Sequence, residues 1–587
     1  MVNLSMFQAY LASKPALLEA CHKSNRSNEP HLRQWAILLP AQTEAQQLEQ
    51  IEKVLTELRS TAMDDRQRLT LIQIVVNVAN QLIAALRQHY IYETGALNEA
   101  QIGYVAQVKS LYYSLIMTCD GVIQREISYL KAKSLKPPAP ARSLWQRYFS
   151  NEKSSPVTLA IAIYQTLLMY QKLLFEDGFC YQKSPEYIWS NINKCYRIAY
   201  QQQASHIVLS AYIPAQQGDT IHHLYRQICL HELLNVRALR RPHILLLQRL
   251  LPVWSAHVVA TIEPRTETRV FVNLESKEPP IYLTALSTIN PYDPHHTCLF
   301  IELKPLVIYL QSRIQTLINT DRRGVEYHLL NSVLMAINYR YIQPKRMLPI
   351  DAREPSKRQT VTLIADFNEI HYRISNGEAF SRLIASKNLP EDQQPRYDTL
   401  PKNKSVTHKV LRAETAAADN QSLHFRTLRL LLESSEPATL SEPSKSCTPT
   451  DKIDDRASIA PPLQIMGLFL LCREDMATAP KWSIGVVRWL NLDSKRYELE
   501  WQVLGHQLIA CGIGLQDRQN RSQHFLPALV IGADEHLQTP YSLLLPTSHF
   551  QTDDKVLMRI NDQQKSLRLG RILMVTDEFS QYAMVQG

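Results

Sequence analysis

The sequence predicts an α+β protein, with helical bundles through its N-terminal half and an antiparallel β-barrel at its C-terminal end. Three observations predict this. Apolar residues recur at three- and four-residue steps over the first 350 positions. Beyond about position 465 the chain breaks into short alternating segments bounded by turn residues. Glycine, 15 residues in all, is sparse before position 350, and Gly485, Gly505, Gly512 and Gly514 fall late, where barrels bend and bulge.

The helical part begins with Glu44–Leu58, where Leu48, Ile51, Val54, Leu55 and Leu58 form one apolar stripe. Arg66–Gln88 repeats it with Leu69, Ile72, Val75, Val76, Ala79, Leu82, Ile83 and Leu86, and Asp64 stands where a cap belongs. Gln101–Lys131 continues with Tyr104, Val105, Val108, Leu111, Tyr112 and Leu115. The prolines from Leu135 to Ala141 end this bundle. A second block pairs Val157–Phe175 with Pro185–Gln203. His257–Leu274 reads as a hairpin, Leu299–Glu302 as a strand, and 306–318 and 324–339 as helices.

From Ile350 the pattern changes. Thr360–Asp366 and Glu369–Ile374 read as paired strands joined by a tight turn at Phe367-Asn368. Residues 377–462 are rich in Ser, Thr, Glu, Asp, Gln, Lys and Pro, and Thr439–Pro461 can bury almost nothing. Nine strands are expected in the tail: 466–473, 483–490, 497–504, 506–515, 527–531, 541–545, 555–560, 566–575 and 582–585. The expected domains are therefore a helical bundle at 1–135, a second mostly helical domain with a small hairpin at 150–350, and the start of the β domain at 351–376. A largely disordered insert at 377–462 and the barrel at 463–587 complete the chain.

Composition bounds the function. Hydrophobic residues make up 45% and charged ones 20%, a globular balance. The net charge of +9 suits an anionic ligand and is too diffuse to indicate DNA or RNA. The nine cysteines show no CxxC spacing, so neither a disulfide framework nor a structural zinc site is expected. Met1–Leu11 lacks the pattern of a signal peptide. No run of 18 apolar residues occurs, Cys298–Leu310 being broken by Glu302, Lys304 and Pro305. A cytoplasmic protein without membrane insertion is expected.

Catalytic signatures are missing. The chain has no GxxxxGK[ST] loop, no GxGxxG and no GxSxG elbow. His222, His223, His231 and Glu232 invite a metal reading, but His231-Glu232 is followed by Asn235 where HExxH needs histidine. No enzyme, metal or cofactor is expected.

Basic residues concentrate before the β region: Arg322, Arg323, Arg340, Lys345, Arg346, Arg353, Lys357 and Arg358. Guanidinium groups bind phosphates and guanine edges bidentately. Farther on, Lys481-Trp-Ser-Ile-Gly-Val-Val-Arg-Trp-Leu490 alternates Trp482, Ile484, Val486, Arg488 and Leu490 against Ser483, Gly485, Val487 and Trp489.

Lys481–Leu490, leading into Arg496–Leu504, resembles the late strand pair of PilZ-type barrels. More widely, the chain is similar to long proteobacterial proteins in which a helical region precedes an atypical PilZ-like domain. The matching stretches are His31–Pro40 with Asp65-Arg66, Ile188-Trp189 with Tyr196 and Ala199, and Trp482–Leu490. Ser542–Phe550, and Arg568–Arg571 with Thr576 and Phe579, complete them. The resemblance implies cyclic di-GMP as ligand, held by an RxxxR segment before the barrel and a D/N-x-S-x-x-G element within it. Arg353-Glu-Pro-Ser-Lys-Arg358 stands at the first position, with its arginines five apart and Lys357 at the four-step. The second element has no match. The candidate ligand residues are thus Arg353, Lys357, Arg358 and Arg488, in a signalling adaptor whose helical region binds a protein partner. The alternative is a degenerate PilZ-like scaffold that binds proteins alone.

Overall fold

The computed structural model describes residues 2–12, 29–134 except 94–96, and 156–338 except 183, 211, 213–219, 235, 237–238, 264–267, 284–288, 294, 321 and 323. It further describes 358–400, 406–412, 427–433, 466–473, 481–493, and 496–585 except 517–523, 535–538, 547–549 and 577. The chain divides into two compact units. One comprises Met1–Glu93, Leu97–Val236 and Ile244–Arg313; the other comprises Thr94–Ala96, Arg237–His243 and Ile314–Gly587. Thr439–Pro461 lies outside the described residues.

The first unit is mainly helical. Its helices are α1 (Leu4–Ala12), α2 (Glu29–Leu38), α3 (Glu44–Ser60), α4 (Asp65–Gln88) and α5 (Glu99–Ser134). After them come α6 (Pro156–Phe179), α7 (Glu186–Gln201), α8 (Ile221–Leu233) and α9 (Arg241–Ala256). The whole predicted stripe of α3 is buried, and Thr43 with Gln46 closes a capping box at its start. Asp64 caps α4 by accepting from the amides of Arg66 and Gln67.

Helices α4 and α6 run parallel, joined by a polar ladder at seven-residue steps along α4. Gln73 accepts from Gln165 at 3.0 Å, Asn80 from Lys172 at 2.8 Å, and Arg87 donates to Glu176. Both helices are long and apolar enough to span a membrane by length and composition. The sequence expectation had no such run, because polar residues interrupt both stretches. Most of each apolar window is buried.

Strands β1 (Val259–Thr261), β2 (Val270–Asn273), β3 (Ile281–Tyr282) and β4 (Cys298–Glu302) form an antiparallel sheet in the order β1-β4-β2-β3. The predicted hairpin of two neighbouring strands is thus split, with β4 inserted between β1 and β2. Helix α10 (Lys304–Asn319) carries the chain into the second unit, where α11 (Val325–Asn338) packs against a late strand of the barrel region.

The second unit contains two closed six-stranded barrels instead of one. The middle barrel joins β5 (Arg358–Ala365), β6 (Val406–Arg412), β7 (Thr427–Glu433), β8 (Leu468–Arg473), β9 (Lys481–Asp493) and β10 (Arg496–Gly505). Its order is β10-β7-β6-β5-β8-β9, closed. The C-terminal barrel joins β11 (Leu508–Leu515), β12 (Leu526–Ile531), β13 (Ser542–Pro546), β14 (Lys555–Ile560), β15 (Gln563–Val575) and β16 (Phe579–Val585) in the order β11-β12-β13-β16-β15-β14. The first three strands predicted for the tail close with β5, β6 and β7, and the last six close on themselves. Two of the partners, β6 and β7, come from the polar stretch expected to be largely disordered, within which His424–Glu433 reads as either strand or helix; β7 shows it to be a strand. The alternation of β6 is short and flanked by polar residues, so the ladder to β5 is what reveals it.

A second expectation fails at Glu369–Ile374, which is helical. Helix α12 (Phe367–Ile374) buries Phe367, Ile370 and His371, a three- and four-residue spacing, and Asp366 caps it. The cap and the period outweigh the β-branched residues. Helix α13 (Phe380–Leu383) follows.

The C-terminal barrel is filled by its own side chains. Cys511, Ile513, Ala528, Val530, Leu543, Leu545, Phe550, Val556, Leu567, Leu569 and Tyr582 form one apolar core. An eight-stranded barrel is about the width that side chains just fill, so a six-stranded one leaves no ligand chamber.

Candidate ligand-binding site

The sequence-predicted residues fall on the middle barrel or just before it. Arg353 and Lys357 lie outside the described residues. Arg358 is the first residue of β5, and Arg488 lies within β9; the backbone alone is described for both. Arg358 pairs with Leu411 on β6, Leu411 with Leu431 on β7, Leu431 with Glu498 on β10, and Glu498 with Asn491 on β9. Asn491 is three residues from Arg488. Both arginines therefore belong to the middle barrel, on strands two apart in its order, although 130 positions separate them in sequence (488 minus 358).

Arg488 also has a special backbone position. Trp489 pairs with Glu500 and Val487 with Trp501, which leaves Arg488 as the extra residue of a β-bulge. Bulges break the alternation of a strand and re-aim a side chain. Sequence reading placed Arg488 in strict alternation with Trp482, Ile484 and Val486. It could not find the bulge, because the bulge is defined by the partner strand.

The neighbouring strand segment is buried on both faces: Ser483, Ile484, Gly485, Val486 and Val487 are all covered. Trp501 is fully buried and stacks on Phe469 with ring centroids 4.8 Å apart. Gly485 makes this possible, since a Cβ there would stand 2.4 Å from the Trp501 Nε1 and 2.3 Å from the Gln502 carbonyl oxygen. The glycine of the Gly-Val-Val-Arg-Trp run is thus a packing requirement.

The metal reading of the His222–Glu232 stretch dissolves into separate contacts. The His222 Nδ1 meets the Tyr196 hydroxyl at 2.7 Å, and the His223 Nε2 meets the Ser255 Oγ at 2.8 Å. The His231 ring packs edge-on against Phe175. Burial, then the charges of Arg226 and the neighbouring imidazoles, lowers the His222 pKa to about 4. His222 and Arg226 serve the sheet instead: Arg226 donates to the Val258 carbonyl beside β1 at 2.8 Å. Among the described residues no group of three or more His, Cys, Asp or Glu could hold a metal ion.

Nucleophilic chemistry at cysteine is equally disfavoured. Burial pushes the thiols of Cys119, Cys195 and Cys511 up to about 12 and that of Cys298 to about 11. Thiolates, the reactive species, are therefore suppressed at these four sites.

The architecture is a helical region followed by two closed antiparallel barrels, the first of which carries Arg358 and Arg488. Comparison with known proteins carries this further. Residues 30–265 match the family model described as "Cyclic-di-GMP receptor FimW, N-terminal domain", and residues 511–585 match the "FimW C-terminal beta-barrel domain". The cyclic-di-GMP receptor FimW of Pseudomonas aeruginosa is 20% identical over 589 residues, covering 94% of this chain and 89% of that protein. No solved structure matches the chain. The chain belongs to the FimW family. The middle barrel lies between the two matched segments.

Proposed function

We propose that this protein is a cytoplasmic signalling effector that binds cyclic di-GMP on its middle barrel, through Arg353, Lys357, Arg358 and Arg488, and engages a protein partner through its helical region. One observation carries the reading: the relative that aligns with 94% of the chain is named a cyclic-di-GMP receptor. The position of Arg358 and Arg488 on strands of one barrel, just after the basic segment, supports it. Two phosphates and two guanine edges call for guanidinium donors, which bind both groups in pairs. The reading moves the PilZ-like role from the tail to the middle barrel, which directly follows the basic segment. It needs no metal, cofactor, nucleic acid or membrane insertion.

Isothermal titration of the full chain with cyclic di-GMP tests it. Charge-assisted hydrogen bonds contribute about 1.5–3 kcal/mol each, so Arg358→Ala and Arg488→Ala should each weaken binding by about tenfold or more. No heat at high micromolar ligand would discard the reading. The second reading, a scaffold that binds proteins alone, is favoured by the missing D/N-x-S-x-x-G element and by the five-residue spacing of Arg353 and Arg358. Unchanged partner binding in an Arg358→Ala/Arg488→Ala double variant would support it.

A further inference from the structure

The connection from β5 to β6 begins on the middle barrel and is fastened to the C-terminal one. It starts at Asp366, whose φ of +79° and ψ of 125° lie where residues with a Cβ rarely settle. Helix α12 then touches β5 and β8 on one side and β11 and β12 on the other. The fully buried His371 reaches the Cys511 carbonyl through its Nε2 at 3.0 Å.

Beyond α12 the segment is laced to the C-terminal barrel by polar contacts. The Asn561 amide donates to the Leu383 carbonyl at 2.7 Å, and the Arg559 Nε to the Ile384 carbonyl at 2.7 Å. Asn388 donates to the Asp562 carboxylate at 2.7 Å. The Phe525 amide donates to the Gln393 carbonyl at 3.0 Å, and His524 meets the Gln394 carbonyl at 2.7 Å. Phe380, Ile384 and Leu389 form an apolar cluster with Phe525. Gly512 on β11 admits the segment: a Cβ there would stand 2.6 Å from the Ile384 Cγ2 and 3.2 Å from Phe380.

We propose that residues 366–394 act as a strut through which the ligand state of the middle barrel is felt in the C-terminal barrel. The driving ligand rests on the cyclic di-GMP reading above; the strut itself does not. Strand β5 begins at Arg358 and ends at Ala365, and the strained Asp366 that caps α12 follows immediately, so a shift of the strand reaches α12 directly. Closed barrels and packed cores resist gradual deformation and pass displacement on through their rigid attachments. Coupling is reciprocal, so disturbing the C-terminal attachment must be felt on the middle barrel.

Hydrogen exchange by mass spectrometry on the full chain tests the strut without ligand. Gly512→Ala and Arg559→Ala should speed exchange by about tenfold both in the segment and in β5 and β6. Arg568→Ala, which loses only an exposed ion pair with Asp553, should leave both unchanged. Faster exchange confined to residues 380–394 overturns the strut. Asn388→Ala, which removes one exposed bond, gives the same readout if the buried variants do not fold. Cyclic di-GMP added to the wild type should slow exchange in β11 and β14. Heat of binding with no change there overturns the signalling role of the strut, whereas absence of heat overturns the ligand reading and leaves the ligand-free result to decide the strut.

Discussion

The helical unit and the C-terminal barrel solve the same problem, fixing one packing register, with opposite materials. The helical unit places Gln73–Gln165, Asn80–Lys172, Arg87–Glu176 and Lys109–Asp177 inside its helix contacts. The C-terminal barrel keeps its interior apolar, its one phenol bonding the Phe550 carbonyl. Backbone hydrogen bonds explain the difference. Within a helix they are all internal, so two apolar helix faces can slide, and polar pairs must fix the alignment. In a closed barrel the backbone ladder itself sets the register, and the core is free to be apolar.

The strongest way to break this contrast is to orphan a buried charge in the helical unit. The Glu176 side chain is fully buried, receives the Arg87 guanidinium, and accepts from the Tyr90 hydroxyl at 2.7 Å. Burial works against the Arg87 charge, yet Glu176 outweighs it and holds the guanidinium firmly protonated. Glu176→Ala should cost about 3–5 kcal/mol, and Arg87→Met/Glu176→Leu should recover most of that loss. Urea unfolding followed by hydrogen exchange resolves each unit separately; a double variant as unstable as the single one would sink the account.

The barrel counterpart is Leu543→Ala. Leu543 is fully buried in the C-terminal core, and its truncation should cost about 2–5 kcal/mol. Leucine does not ionise, and the ionisable members of this core are present in variant and wild type alike, so the difference between the two should be the same at pH 6 and pH 9 by urea midpoint. A pH-dependent loss would show that charge reaches this core after all.

The same contrast decides what could be read from the sequence. The stripes of α3 and α4, the Asp64 cap and the six strands of the C-terminal barrel are local patterns, and they are legible. The heptad partner of Arg87 lies 89 residues away, and nothing near Arg87 announces Glu176. Barrel membership is also nonlocal: β8, β9 and β10 look continuous with β11, yet they close with β5, β6 and β7. At the candidate site the arginines themselves were visible. The bulge that singles out Arg488 was not, because it exists only relative to β10.

A smaller test concerns Lys172, on the polar ladder. Burial, helped by the nearby Arg87 charge, lowers its pKa from 10.5 to about 8. Between these values the unfolded chain binds the proton that the folded chain has lost, so this group's contribution to stability rises with pH across that window. Below pH 8 the buried charge is a burden of up to about 3 kcal/mol. Lys172→Met should therefore be more stable than the wild type at pH 7, and the gap should close towards pH 10.5. A gap that persists at pH 10.5 would trace the effect to packing instead.

The smallest effect expected belongs to the barrel unit, at the acid end. His371 is fully buried, and burial lowers its pKa to about 4 against the opposing pull of the Cys511 carbonyl and Asp398. Above pH 6.5 the imidazole is neutral in both states and contributes no pH dependence. As pH falls from 6.5 towards 4 the unfolded chain takes up a proton that the folded chain refuses, and stability drains away. By pH 5 the loss should reach about 2 kcal/mol. Glutamine can still offer an N–H to the Cys511 carbonyl and does not titrate, so His371→Gln should flatten this segment of the stability profile. Hydrogen exchange at β11 and α12, compared at pH 7 and pH 5 after correction for intrinsic rates, reads it directly. Equal acid sensitivity in the variant and the wild type would move the cause to another group.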